Sequence, residues 1–468
     1  MIKEYQITNF KPFAESAVIP VRPITLIFGP NSSGKSSILQ SLTMLKQTTE
    51  EGGKETPLLP KGSLADLGNF REFIHRHDDT RKFSFKVTIP IKDSTEKDKR
   101  VQEFLDSIIS FETVGLGITF SDLKMGDLTI TQFETFVGDN PEPLFTYEME
   151  QPDKEIDKGR FFTRYPYIAK LKDFNEEHEY WLKHQSLFDK PASEAHFDFS
   201  HYLIEGVHDD SAEEFISPKE RKSISLIPFY TSRMFREILR RFVYVGHLRG
   251  FPERYYSYTG NKNRYVGKTG EFVADILFSD PEILSRVNEQ FDHLKIGYEL
   301  RVANLTDQAS EIHDLRTLRL KEKSTGTYMG FTDVGFGISQ LLPIVVQSMV
   351  SERHMLLIEQ PELHLHPALQ AEMGDIFIRS ALGENKNTFI IETHSEHLIL
   401  RLLRRIRETT EGELPEDIPP IKPDDLSLLY VKPDEKGASV IHIPATEDGE
   451  FERFWPGGFF PERSKELF

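Results

Sequence analysis

The sequence predicts an α/β fold in which a buried parallel sheet carries a glycine-rich turn, and three observations predict it. Three short runs, ITLIF (24–28), MLLIE (355–359) and TFIIET (388–393), are largely apolar at consecutive positions. Consecutive apolar residues suit strands covered on both faces, where alternation would suit a strand wetted on one face. Each run is followed by a helical pattern, and between ITLIF and its helix lies a segment rich in glycine and serine. At 468 residues the chain exceeds one typical domain, so two or three lobes around one core are expected.

The elements follow in order. Residues 2–8 read as a strand, and so does 24–28. Residues 35–47 read as a helix with Ile38, Leu39, Leu42 and Leu45 on one face. Phe83, Phe85, Val87 and Ile89 alternate with polar residues and mark a further strand. From about 91 the character changes to charged and aromatic segments such as KDSTEKDKR, with helical stretches within 167–240 but no sustained heptads. This predicts an inserted α+β lid or arm over 91–240, between a first lobe at 1–90 and a second at 241–468. Core-like sequence returns with FVYVGHL (242–248), and the segment ETTEGELPEDIPPIKP precedes a last strand, LSLLYVK (426–432), and an aromatic tail.

Composition narrows the classes. The absence of cysteine excludes a disulfide framework and thiolate metal sites, and suits a reducing cytoplasm. The start, MIKEYQITNFKPF, lacks the apolar run of a signal peptide. No stretch reaches the ~18 uninterrupted apolar residues of a spanning helix, so no membrane partner and a cytoplasmic location are expected. A net charge of -18 argues against a broadly DNA-coating surface but leaves room for a local basic groove.

The glycine-rich segment is Gly29-Pro30-Asn31-Ser32-Ser33-Gly34-Lys35-Ser36, followed by Ser37. It matches G-x-x-x-x-G-K-[ST] between a strand and a helix. Glycines let successive N–H groups curl around phosphates, and the helix N-terminus adds its positive dipole end. Lys35 is expected to reach the β- and γ-phosphates of ATP, and Ser36 to ligate Mg²⁺.

Glu359 closes an apolar strand, which is where a carboxylate holds Mg²⁺ or its water. Gln360 follows; it orients water but cannot accept a proton. Three readings stay open: slow hydrolysis, substitution by Glu362, or a glutamate replaced by design to give an ATP-trapped form. Thr393-His394-Ser395 follows the strand TFIIE, and a histidine there can report the γ-phosphate by a hydrogen bond. The fourth segment is Asp333-Val334-Gly335-Phe336-Gly337-Ile338-Ser339-Gln340, ahead of the apolar run LLPIVV.

With these motifs in this order, the chain resembles the SMC/RecF/OLD branch of ABC ATPases and its AAA_15/AAA_21-like members. ITNFKPF resembles the family's opening strand, ELHLHP its D-loop, and DGEFERFWPGGFFPER the C-terminal module of bacterial members from anti-phage operons. The Septu, PARIS and retron-associated ATPases belong to this neighbourhood. The resemblance implies a P-loop NTPase head of the ABC type in two lobes. In that family the residue after the Walker B acid is usually a glutamate. The resemblance also implies that Gly337, Ser339 and Gln340 form the signature closing over ATP held by a second copy, with Gln340 at the usual distance ahead of Glu359. The match is imperfect, since Gly337 falls where the signature serine belongs. A homodimer or higher even-numbered homo-oligomer follows from this arrangement.

The stretch after His394 is too short for the Toprim nuclease domain of OLD proteins. A separate effector chain, a nuclease, is therefore expected in a defence system that senses phage or foreign DNA. The alternatives are a RecF-like repair ATPase that binds DNA itself, a poorly hydrolysing ATP-dependent scaffold, and a transporter subunit. The insert and the irregular signature weigh against the last.

Further residues carry two readings each. Arg249 and Arg254 suit phosphate contact, communication between subunits, or a surface ion pair. His75 and His77 have metal-ligand spacing but also suit a solvated loop; His364 and His366 fall in the D-loop. Arg401, Arg404 and Arg405 share a helix face, with Arg407 on the same helix, and suit either a phosphate grip or a solvated surface. Phe454, Trp455, Phe459 and Phe460 are expected to pack in a core or a subunit contact.

Overall fold

The computed structural model describes residues 1–91, 112–122, 128–143, 145–149, 159–163, 195–200, 203–209, 218–307, 312–453 and 455. The charged run 92–100 and most of 150–217, where helical stretches were expected, lie outside the described residues.

The strands are β1 (Glu4–Thr8), β2 (Ala17–Pro20), β3 (Ile24–Phe28), β4 (Phe83–Pro90), β5 (Thr113–Asp122), β6 (Leu128–Val137), β7 (Phe145–Met149) and β8 (Gly159–Thr163). They continue with β9 (Ala195–Ser200), β10 (Leu203–Asp209), β11 (Phe242–Val245), β12 (Tyr256–Ser257), β13 (Tyr298–Asp307) and β14 (Ile312–Glu322). The last five are β15 (Tyr328–Gly330), β16 (Met355–Glu359), β17 (Thr388–Glu392), β18 (Leu426–Asp434) and β19 (Gly437–His442). The α-helices are α1 (Lys35–Glu51), α2 (Phe70–Phe73), α3 (Pro218–Arg240), α4 (Val273–Ser279), α5 (Pro281–His293), α6 (Phe336–Val350), α7 (Pro367–Leu382) and α8 (Glu396–Glu411).

Two compact units divide the chain. One comprises Met1–Pro20, Gln40–Arg240 and Pro433–Ser439. Its main sheet has the order β2-β1-β4-β5-β6-β7-β8 with antiparallel pairings. Strand β4 shows why it is half-buried: Phe83, Phe85, Val87 and Ile89 point inward while the residues between them are partly exposed. Phe83 stacks on Phe120 with ring centroids 5.7 Å apart, and the Tyr5 hydroxyl donates to Ser41 Oγ at 3.0 Å. The described elements of 91–240 are β5 to β10 and α3; β5 to β8 extend the sheet beyond β4.

The other unit comprises Val21–Leu39, Arg241–Lys432 and Val440–Phe468. Its central sheet has the order β11-β16-β17-β3-β18-β19, with β11 through β18 parallel. The three apolar runs form three adjacent strands, β16, β17 and β3, in which every residue is buried. Their side chains join one core with Leu342 and Val346 of α6, Ile376 of α7 and Leu402 of α8. Helix α8 starts where Ser395 caps Leu398 N at 3.1 Å, and it stops at Gly412, whose φ of 73° ends the right-handed turn. A four-stranded sheet of β12, β13, β14 and β15 completes this unit.

Candidate nucleotide-binding site

Strand β3 delivers the chain to Gly29, whose φ is 148°. A Cβ there would meet the Val431 carbonyl oxygen at 2.4 Å, so glycine is required by both conformation and space. Ser32, at φ 60°, and Gly34, at φ 105°, make two further left-handed steps. The turn is closed by Ser33 N donating to Pro30 O at 3.3 Å, and Ser37 N donates to Gly34 O at 3.1 Å. Pro30, Asn31 and Ser32 are exposed at the tip, while Ser33, Lys35 and Ser37 are buried.

Lys35 opens the seventeen-residue helix α1. Its ammonium lies back over the turn, donating to Gly29 O at 3.1 Å and Pro30 O at 2.8 Å. Burial lowers its pKa, opposed by the carboxylates of Glu392 and Glu362. Ser36 Oγ donates to Glu392 Oε1 at 3.0 Å.

The parallel register sets Glu359 of β16 beside Glu392 of β17, and Glu392 beside Ile27 of β3. Both glutamates are almost fully buried. Glu359 Oε2 lies 2.7 Å from His247 Nδ1, and the Glu359 main-chain oxygen accepts from Arg249 Nη2 at 2.7 Å. Burial and then the Glu359 carboxylate raise the pKa of the neighbouring Tyr244 hydroxyl well above its ordinary value. Burial raises the Glu392 carboxyl, with the Ser36 hydrogen bond opposing and the Glu359 charge adding. Arg249 is itself buried, which pushes its pKa down to about 10 against the attraction of Glu362 and Glu359.

After β16 the chain turns through Gln360, which holds a left-handed φ of 42° and donates its N–H to Glu392 O at 2.7 Å. Glu362 then reaches across: Oε2 accepts from Thr393 Oγ1 and Oε1 from His394 N, both at 2.6 Å. Burial raises the Glu362 pKa against those two bonds. The His394 imidazole is partly buried, and burial followed by the Lys35 charge lowers its pKa.

The structure thus gathers Gly29 to Ser37, Glu359, Gln360, Glu362 and His394 around the ends of three strands. Gly337, Ser339 and Gln340 form another group. Gly337 packs so tightly that a Cβ would lie 2.8 Å from His364 O, and Ser339 Oγ donates to Phe336 O at 2.6 Å. Gln340 Nε2 donates to Arg249 O at 3.3 Å, which ties this group to Glu359 through one residue.

Sequence reasoning missed Glu392, His247 and Tyr244. A signal for Glu392 existed, because MLLIE and TFIIE both end in glutamate and parallel strands align their ends. His247 and Tyr244 carry no sequence signal of their own. Arg254 pairs with exposed Asp333 at 3.0 Å. Arg401 and Arg405 turn neither to phosphate nor to solvent: both bond buried Asp375, at 2.8 and 2.7 Å. His75 Nδ1 lies 2.8 Å from Lys11 O, and His77 Nδ1 lies 2.8 Å from Arg71 O. His366 caps α7, and His364 packs against the Phe336 ring. Trp455 packs against Phe28, Tyr430 and Phe451, whereas Phe454, Phe459 and Phe460 lie outside the described residues.

The set fits a hard divalent cation beside a phosphate chain: one hydroxyl and two buried carboxylates, next to a glycine-bearing turn at the N-terminus of α1. Glu359 Oε1 and Glu392 Oε2 are buried without a hydrogen-bond donor among the described residues, as acceptors for a positive charge would be.

Comparisons with known proteins bear on this arrangement. No curated protein matches the sequence. Similar solved structures include an Smc head bound to the C-terminal winged-helix domain of ScpA, at 12% identity and a TM-score of 0.43 over 95% of this chain and 97% of that one. The SMC head of Thermotoga maritima aligns at 10% identity and 0.39 over 94% and 98%. A Pyrococcus furiosus Smc head with an extended coiled coil, bound to the C-terminal domain of ScpA, aligns at 10% identity and 0.40 over 100% and 98%. The AAA_21 family model, whose description joins an AAA domain to the AbiEii toxin and a type IV TA system, matches residues 24–401. That match runs from the strand beneath the loop to beyond His394 and spans most of the chain, so the protein belongs to the AAA_21 family of AAA-domain proteins.

Proposed function

We propose that the protein binds ATP with Mg²⁺ at residues 29–37, hydrolyses it slowly, and acts as the ATP-driven subunit of a bacterial anti-phage system controlling a separate effector chain, a nuclease. The observation that carries the nucleotide reading is the contact of Ser36 with Glu392 beside Glu359, directly beneath a turn whose Gly29 admits no side chain. The defence reading rests on the resemblance to anti-phage ATPases and on a family description that names a toxin and its TA system.

In this mechanism the backbone N–H groups of Asn31 to Ser36 and the α1 N-terminus bind the phosphates. Lys35 leaves the carbonyls of Gly29 and Pro30 for the phosphate chain. Bound Mg²⁺ supplies positive charge that offsets the phosphate oxygens. Ser36 and Glu359 hold it. Gln360 orients water, and Glu362 fixes the turn that presents His394 to the γ-phosphate. The Gly337, Ser339 and Gln340 group closes over nucleotide held by a second copy, in a homodimer or a larger even-numbered assembly. The stretch 91–240 serves as the arm that meets the trigger or effector. Gln360 supports a second reading, a scaffold that binds ATP and barely hydrolyses it.

The test is Lys35→Ala. Binding of a fluorescent ATP analogue and ATP-driven pairing, read as molecular mass in solution, should both be lost. Unchanged binding and pairing would remove the reading. Weighing the protein with its genomic neighbour's product, with and without ATP, tests the effector.

A further inference from the structure

Glu359 is the acid that the strand pattern assigns to the cation, yet the neighbouring strand ends on a second acid in matching register. Glu392 Oε1 accepts from Ser36 Oγ at 3.0 Å, and its Oε2 is buried without a donor among the described residues. Glu359 has the same form, with Oε2 at 2.7 Å from His247 Nδ1 and Oε1 buried without a donor. Two buried carboxylates side by side repel each other, and each keeps one oxygen that no donor among the described residues meets in hydrogen-bond geometry, although the Tyr244 hydroxyl lies close to Glu359. Such a pair is at rest when a positive charge lies between them. Lys35 attracts Glu392, but its ammonium is bonded to the carbonyls of Gly29 and Pro30, so it does not sit between the two carboxylates. If Glu392 only oriented Ser36, one neutral acceptor would be enough.

We infer that Glu392 is a second carboxylate of the divalent-cation site, holding the cation with Ser36 and Glu359, directly or through a cation-bound water. Mg²⁺ is commonly held by one or two carboxylates together with substrate phosphates, so this donor set has the right size and hardness. The inference rests on the reading that residues 29–37 bind ATP with Mg²⁺.

The experiment uses the full chain and Mn²⁺ as probe, with free Mn²⁺ read by electron paramagnetic resonance, with and without ATP. Nucleotide affinity is measured separately in EDTA with a fluorescent ATP analogue. Glu392→Gln keeps shape and the acceptor for Ser36 but removes the charge. It is expected to weaken Mn²⁺ at least tenfold, with and without ATP, while still binding the analogue in EDTA, which shows that the variant is folded. Mn²⁺ affinity within twofold of wild type overturns the inference. A variant that does not fold is replaced by Glu392→Ala, with the same thresholds. Wild-type protein that binds no nucleotide sinks the proposed function instead, and the titration with Mn²⁺ alone then decides whether the carboxylate pair holds a cation.

Discussion

Arg249 donates through Nη2 to the main-chain oxygen of Glu359 at 2.7 Å, and the carbonyl of the same arginine accepts from Gln340 at 3.3 Å. One buried residue therefore spans the cation-side strand end and the helix that carries Gly337 and Ser339. Replacing Arg249 by Met keeps most of the stem and removes a charge-assisted hydrogen bond, which is worth about 1.5–3 kcal/mol. It also removes one counter-charge from Glu359 and Glu362, with Lys35 still near Glu362. Chemical denaturation is expected to show a loss of about 2 kcal/mol, with a smaller loss for Arg249→Lys. Equal stability in all three proteins would show that the bridge carries no load.

Gln360 occupies the position after the strand acid, with φ at 42° and its N–H fixed on Glu392 O. Glutamate has the same backbone preferences, so Gln360→Glu changes the chemistry of the side chain and leaves the turn as it is. A general base typically contributes ~10²–10⁴-fold to a rate. Phosphate release at saturating ATP is expected to rise by about 10²-fold in Gln360→Glu. A rate unchanged within twofold would mean that proton acceptance at this position does not limit turnover.

How far the sequence foretold these arrangements differs by element. The runs at 24–28 and 355–359 are strands at those bounds, and the run at 388–393 is a strand as far as Glu392, because burial on both faces favours apolar residues at successive positions. The loop was legible because only a short list of residues permits its dihedral angles and its approach to Val431. Glu392 was harder to see, since its meaning depends on which strands are neighbours, and the order β16-β17-β3 is not written in any one segment. The Arg401 and Arg405 face misled for a related reason. Basic residues at helical spacing mark one face, but whether it meets solvent or Asp375 is decided by α7. The β13 and β14 hairpin went unread although Leu300, Leu318 and Leu320 are buried on an alternating face. Charged residues between those leucines dilute the pattern.

Burial raises the folded-state pKa of Glu392 above its ordinary value, and this gives a pH dependence with a definite sign. A raised carboxyl favours the folded state while it is protonated. That contribution is complete below the unfolded value, about 4.3, and is lost as pH rises through the folded value. At pH 8 in EDTA the wild-type protein therefore carries an unfavourable buried charge that Glu392→Gln lacks. The variant should melt at a higher temperature than wild type at pH 8, and the gap should close as pH approaches 4.5. A gap independent of pH would show that the difference comes from packing and not from charge.

Asp375 sits between two arginines, with Oδ2 at 2.8 Å from Arg401 Nη1 and 2.7 Å from Arg405 Nη2, and Oδ1 at 2.8 Å from Arg405 Nε. The side chains of Asp375, Arg405 and Arg401 are only 4%, 8% and 12% exposed, so solvent screens this cluster weakly. The hydrogen bonds that Arg405 donates to Asp375 are the first cause of its raised pKa, which marks the charged pair as favourable in place. Asp375→Ala would leave Arg401 with Glu372 alone, at 3.0 Å, and Arg405 with Glu408 alone, at 2.6 Å. Breaking a buried pair costs about 3–5 kcal/mol when the remaining charge has no other partner, so denaturant unfolding should show a loss toward the lower end of that range. Arg404 pairs with Glu408 from a side chain that is 55% exposed, where screening leaves at most about 1 kcal/mol. Arg404→Ala is therefore expected to change stability by less than Asp375→Ala by a wide margin. If the two variants unfolded at the same denaturant concentration, the cluster would have to be treated as surface charge, and the α7–α8 contact would rest on its apolar residues alone.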